Sequence, residues 1–252
     1  MKKILIIFLF VVILAIFASF YNASPRAIVS RLLSQGELRD GQLRYRISLL
    51  GFLPIGEAVL NKDSHEQYKG QSVYHLSATA FTPHILSRFF RSHAVLDSYI
   101  DPQSFNPILF RQKLVSPGKE RPEKEVVYDQ KSGVMVIGDV KRQILPNTQD
   151  PLSLMFNIRH MDFNNIGTLE MNINTNQKNY LLQGKVKKRI ISVGKKSYTV
   201  IIIDAEIKRR DKNPYHKSNV TIVLLRDKGN IPLSIRVFAS GAIINAELIK
   251  IE

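Results

Sequence analysis

The chain has no cysteine, which excludes a disulfide framework, a thiolate zinc site, an iron–sulfur cluster and a cysteine nucleophile. A lipoprotein's acyl anchor is excluded for the same reason. Acidic residues are scarce: 21 Asp+Glu stand against 36 Lys+Arg, a formal net charge of +15 over 252 residues. Glycine (13) and proline (11) are too few for a collagen-like or low-complexity chain. No motif repeats at a period of about 20–50 residues, which argues against a propeller or solenoid. P-loop, G-x-G-x-x-G, G-x-S-x-G and HExxH motifs are absent. The six histidines show no metal-ligand spacing, so neither a metal nor a cofactor is expected. With 44% hydrophobic residues the chain is far too apolar for disorder and long enough to bury a core.

What is present begins at the N-terminus. Met1-Lys2-Lys3 precedes residues 4–21, an 18-residue uncharged run. It has the layout of a secretory signal, yet reaches the roughly 17–25 residues that span a bilayer. No clean small-x-small cleavage site follows, so residues 1–22 read as a signal peptide or an uncleaved anchor. Either reading keeps the lysines inside and exports the rest, to the periplasm or the outer face of the cytoplasmic membrane. Without Lys2 and Lys3 the exported part carries +13. Outside the cytoplasm this charge points away from nucleic acid. It leaves anionic lipid headgroups, acidic glycans or simply a solvated basic surface.

Residues 23–35 read as a short helical linker, with Ser24 as cap and Pro25 at the first helical position. Residues 36–252 read as one β-rich domain. Leu43, Tyr45, Ile47 and Leu49 alternate with polar residues, as do Ile201, Ile203, Ala205 and Ile207, and again Ile231, Leu233, Ile235 and Val237. Period two with one face apolar is the antiparallel signature. Gly51 and Pro54-Ile55-Gly56 read as a break. A dozen strands separated by Gly, Asn, Asp and Pro turns imply an all-β fold. The expected form is a strongly curved antiparallel sheet, an open or partly closed barrel with two short helices. Thr82-Pro83 and Asp150-Pro151 read as helix starts. The second opens LSLMFNIRHM, apolar nearly all round, a helix that wants enclosure as a core plug or as a mobile cover over a cavity.

Candidate site residues follow from this layout. Met155 and Phe156 would meet an acyl chain inside the sheet. Arg159, set among apolar neighbours, should meet a buried carboxylate or an anionic ligand head. Twelve Lys+Arg fall in residues 178–217 with three acids. There, Lys185, Lys187 and Arg189 alternate along one strand face as a basic patch or a solvated face. Asp97 and Asp101 share a strand face at a spacing that suits paired glycosidase acids. The plainer reading gives Asp101 to a turn and pairs Asp97 with Arg88 or Arg91. His75 and His93 read as satisfied structural histidines. No catalytic residue is assigned. Three functions stay open: a non-catalytic envelope protein holding a lipid-like or anionic amphiphile; an assembly partner at the membrane surface that binds another envelope protein or an acidic glycan; and, less favoured, a hydrolase of glycan or lipid resting on Asp97, Asp101 and Asp150.

The order of LRYRISLLGFLPIGEAVL, RFFRSHAVLDSYIDPQSFNP, VVYDQKSG, DPLSLMFNIR and LLRDKGNIPLSIRVFASGAIINAEL resembles the bacterial envelope family known as domain of unknown function 3108. The resemblance spans residues 36–252. It implies an exported, β-rich fold and no particular activity. The family's tryptophan and paired aspartates before Ile231-Pro232 are replaced here by Leu224, Leu225, Arg226 and Asp227. That departure weakens any role for this hairpin tip.

Overall fold

In a computed structural model the described residues are 23–36, 38, 41–61, 64–82, 93–116, 119–120, 122–175, 177–210, 217–239 and 241–252. The N-terminal segment 1–22 and the helix expected from Thr82 lie outside them, except Thr82 itself. Among the described residues no helix is long and apolar enough to cross a membrane.

Helix α1 (Pro25–Ser34) begins as its sequence requires. The Ser24 hydroxyl accepts from the Ala27 amide, and Pro25 takes the first position, where its missing N–H costs nothing. The first half of the sheet comprises β1 (Leu43–Leu49), β2 (Leu53–Leu60), β3 (Ser64–Tyr68), β4 (Gln71–Phe81), β5 (His93–Ile100), β6 (Pro107–Ser116), β7 (Lys119–Glu120), β8 (Lys124–Asp129), β9 (Val134–Ile137) and β10 (Val140–Gln143). Helix α2 (Pro151–His160) follows. The second half comprises β11 (Thr168–Thr175), β12 (Lys178–Val193), β13 (Lys196–Arg209), β14 (Lys217–Leu225), β15 (Ile231–Ala239) and β16 (Ala242–Ile251).

All sixteen strands belong to one antiparallel sheet. Its main path runs β10-β9-β8-β6-β5-β4-β2-β1-β16-β15-β14-β13-β12-β11, with β3 beside β4 and β7 beside β6. Neighbours on this path are consecutive in the chain except β2 with β4, β6 with β8, and β1 with β16, and the last of these joins the two halves. The path does not close by a strand ladder. Its ends are bridged by the loop after β10: the Gln149 amide donates to Asn172 O and the Asn174 amide to Gln149 O, at 2.9 and 2.8 Å. The result is the partly closed barrel expected from the alternation.

The sheet is covered on both sides. Ile28, Val29 and Leu32 of α1 pack with Tyr198, Val200, Val223 and Leu225 on the outer face. Leu154 and Ile158 of α2 pack with Ile201, Ile203, Ile222 and Leu224 on the inner face. Val200 and Ile201 are adjacent on β13 and both fully buried, which explains its unbroken Val-Ile-Ile-Ile run. Pro54 and Gly56 do not end β2. A register shift between Ile47 and Ser48 sets Pro54 opposite Ser48 at a bulge, where a missing donor is tolerated. Gly184 on β12 is required by crowding: a Cβ there would stand 2.6 Å from that of Ala205.

Candidate functional site

Inside the sheet, α2 is fixed by its first residue. Asp150 is fully buried, and its carboxylate accepts from the Leu152 and Ser153 amides and, at 2.6 Å, from the Ser98 hydroxyl. The Asp150 backbone N–H donates in turn to Ser153 Oγ at 2.9 Å, closing a capping box. Burial raises the Asp150 pKa above its ordinary value, and the hydrogen bonds from Ser98, Ser153 and Leu152 oppose that rise. The Tyr128 phenol is pushed up as well, by burial and then by the charge of Asp150. Asn157 extends the polar seam, donating to Phe105 O and Gln149 Oε1.

Around this seam the described residues pack closely. Phe156 is 4% exposed and packs with Leu76, Ile100, Phe110, Val126, Tyr128 and Met135. Its ring also stands edge-on to Phe105 at 5.3 Å and near Tyr74 at 5.4 Å. The pocket where Met155, Phe156 and Arg159 meet, with Leu60, Leu76 and Leu152, measures about 20 Å³. That is space for about one water molecule. Arg159 is half-buried at its edge. The Tyr45 phenol is buried and donates to Pro232 O; burial drives its pKa up, and the Arg159 charge partly offsets this.

The candidate cations lie elsewhere. Val186 packs against the inner cluster while Lys185, Lys187 and Arg189 are exposed, so strand alternation puts those three on the outer face. The sheet therefore separates them from Met155, Phe156 and Arg159. The six residues do not form one site. Nor do the lysines gather as a field of one sign. Lys187 pairs with Asp204 at 3.0 Å, and Glu206 takes Lys208 at 2.7 Å and Lys217 at 3.4 Å. Lys185 lines an open depression of about 780 Å³ together with Glu170, Asp204 and Glu206. Cross-strand register places acids of β11 and β13 beside the bases of β12, which a linear count of charges misses.

The carboxylates considered for acid–base work do not converge. Asp101 accepts from the Gln103 and Ser104 amides and so shapes its own turn. Asp150 lies on the face of Ser98, opposite that of its neighbour Asp97. Asp97 meets His75 Nε2 at 2.8 Å, and His75 Nδ1 meets Glu66 Oε1 at 2.8 Å. Arg88 and Arg91, the partners expected for Asp97, lie outside the described residues. The His75 contacts follow from register: His75 stands opposite Ser64 and Tyr99, so Glu66 and Asp97 are its diagonal neighbours, within reach of these side chains. Tyr99 stacks flat on His75 at 4.5 Å, and the Arg111 guanidinium lies over the Tyr99 ring, 5.9 Å from its centroid. The hydrogen bond from His75 holds the Glu66 carboxyl below its ordinary value. In His75→Ala the Glu66 pKa should return toward that value; an NMR titration unchanged from wild type would contradict the pairing.

Comparison with known proteins agrees with this architecture. The family model described as protein of unknown function DUF3108 matches residues 44–248. No curated protein matches the chain. Among solved structures, the chain is similar to a beta-barrel-like protein of domain of unknown function DUF1849 from Brucella abortus. The TM-score is 0.57 at 12% identity, over 86% of this chain and 99% of that one.

Proposed function

The chain belongs to the DUF3108 family of proteins of unknown function, and on that premise we propose a non-catalytic, exported cell-envelope protein that binds another envelope component at the membrane surface. The observation that carries this reading is the close packing of the described residues around α2. A pocket of about 20 Å³ is far below the roughly 300–1,000 Å³ of a small-molecule site. The remaining surface for recognition is the outer face. Its interleaved pairs, Lys187 with Asp204 and Lys208 with Glu206, suit a mixed-charge protein surface better than a polyanionic glycan. Membrane placement rests on the uncharged run 4–21.

The alternative, storage of an amphiphile inside the sheet, is favoured by one arrangement: Met155, Phe156 and Arg159 share that small void. An acyl chain would enter only if α2 moved out. Titration with monomeric short-chain phosphatidylglycerol separates the readings. The melting temperature should stay constant. A saturable rise would overturn the close-packing reading, because a ligand that binds the folded state stabilises it by mass action.

A further inference from the structure

We propose that the lip of the sheet around the β1–β2 turn docks onto an anionic lipid leaflet, beside the point where the N-terminal segment leaves it. This rests on the membrane placement above and names the face that meets the bilayer. One apolar cross-strand row on the inner face is buried at Ala205 and Val220. It continues through Val237 and Ile244 to Leu49 and Leu53. Because the strands are staggered, the row runs out of the core before it ends. Ala205 and Val220 are 8% and 5% exposed, whereas Ile244 and Leu53 are 43% and 46% exposed. Leu50, 47% exposed, is held at the tip by its amide bond to Ile243 O. On the opposite face of the same rim, Phe238 pairs with Ile243 and is 45% exposed. Leu49, Leu53 and Ile244 are neighbours on adjoining strands, and with Leu50 at the tip and Phe238 on the other face they make the rim itself apolar.

A second observation identifies the occupant. Ala23 lines an open groove with Gly51, Phe52 and Pro54 of the same turn. It stands two positions after the uncharged run 4–21, the one stretch of the sequence long enough to span a bilayer. A chain leaving a membrane at residue 22 therefore arrives at the lip. Exposed Arg26, Arg46 and Arg236 lie on α1 and on the outer faces of β1 and β15. Beside an anionic leaflet they attract. Across a two-fold interface with a second copy they would repel, so the leaflet is the better occupant.

The absence of cysteine makes the test clean. Leu53→Cys and, as a control, Val140→Cys on β10 are each labelled with an environment-sensitive fluorophore in the full chain. Each is reconstituted into vesicles of equal parts phosphatidylethanolamine and phosphatidylglycerol carrying nitroxide lipids. Val140 is 43% exposed, so the two sites start equally open to water. The lip label should be quenched several-fold more than the control. Equal quenching, or none at residue 53 in chains that still float with the vesicles, overturns lip docking and leaves the membrane placement standing. Failure to float overturns both.

Discussion

Replacing Asp150 with alanine is expected to lower stability by about 3 kcal/mol, combining loss of a cap with three buried donors left without an acceptor. For a chain this size that is a fall of roughly 10 °C in melting temperature. The Leu152 and Ser153 amides and the Ser98 hydroxyl all point into a site closed to water, so none can turn to solvent. Asp150→Asn keeps an acceptor for both amides, and the serine hydroxyl can rotate to accept from the new amide; a loss of about 1 kcal/mol is expected. The two differ further in pH dependence. Burial raises the Asp150 pKa in the folded chain. A raised carboxyl holds its proton more tightly folded than unfolded, so its contribution is full below the unfolded value and fades as pH rises through the folded one. The wild type should therefore gain on Asp150→Asn as the pH falls toward 4, in urea melts at a series of pH values. A gap that stays constant, or a tolerated Asp150→Ala, would refute the buried cap.

Phe156→Ala is expected to cost about 4 kcal/mol, the range for deleting a large aromatic from a packed core. Phe156 touches Tyr74 of β4 and Phe105, and shares one buried cluster with Leu76, Phe110, Val126 and Met135 of β4, β6, β8 and β9. Its loss opens a cavity that rigid strands cannot collapse into. If α2 were a mobile cover instead of a plug, truncation would remove few lasting contacts and the loss would stay below about 1 kcal/mol. Denaturant melts of the two proteins distinguish these outcomes.

Most of the strands were legible because one face of the sheet is buried and period two survives in residues such as Ile201, Ile203 and Ala205. The Asp150-Pro151 start of α2 was legible because capping chemistry is local. What was hidden depended on distant partners. Ser64–Tyr68 is exposed or half-exposed throughout, and Val140–Gln143 is exposed along its length, so neither strand carries an alternation to read. Pro54 looked like a break because the bulge that admits it is formed with β1. The candidate site divided for the same reason. Met155, Phe156 and Arg159 sit within one turn and a half of α2, so their shared location follows from sequence. Whether Lys185, Lys187 and Arg189 face them is set by which side of β12 α2 covers, a tertiary fact. Likewise, no spacing in the sequence announces Glu66–His75–Asp97; only the pairing of β3, β4 and β5 does.

The central claim is that the sheet's interior is occupied by the protein's own side chains. The intact mass of the protein, purified from the envelope without detergent and measured by native mass spectrometry, tests it most directly. The claim predicts the mass of the bare polypeptide, with nothing added on mild activation. A stoichiometric adduct that dissociates as an acyl lipid would contradict it and return α2 to the role of a cover.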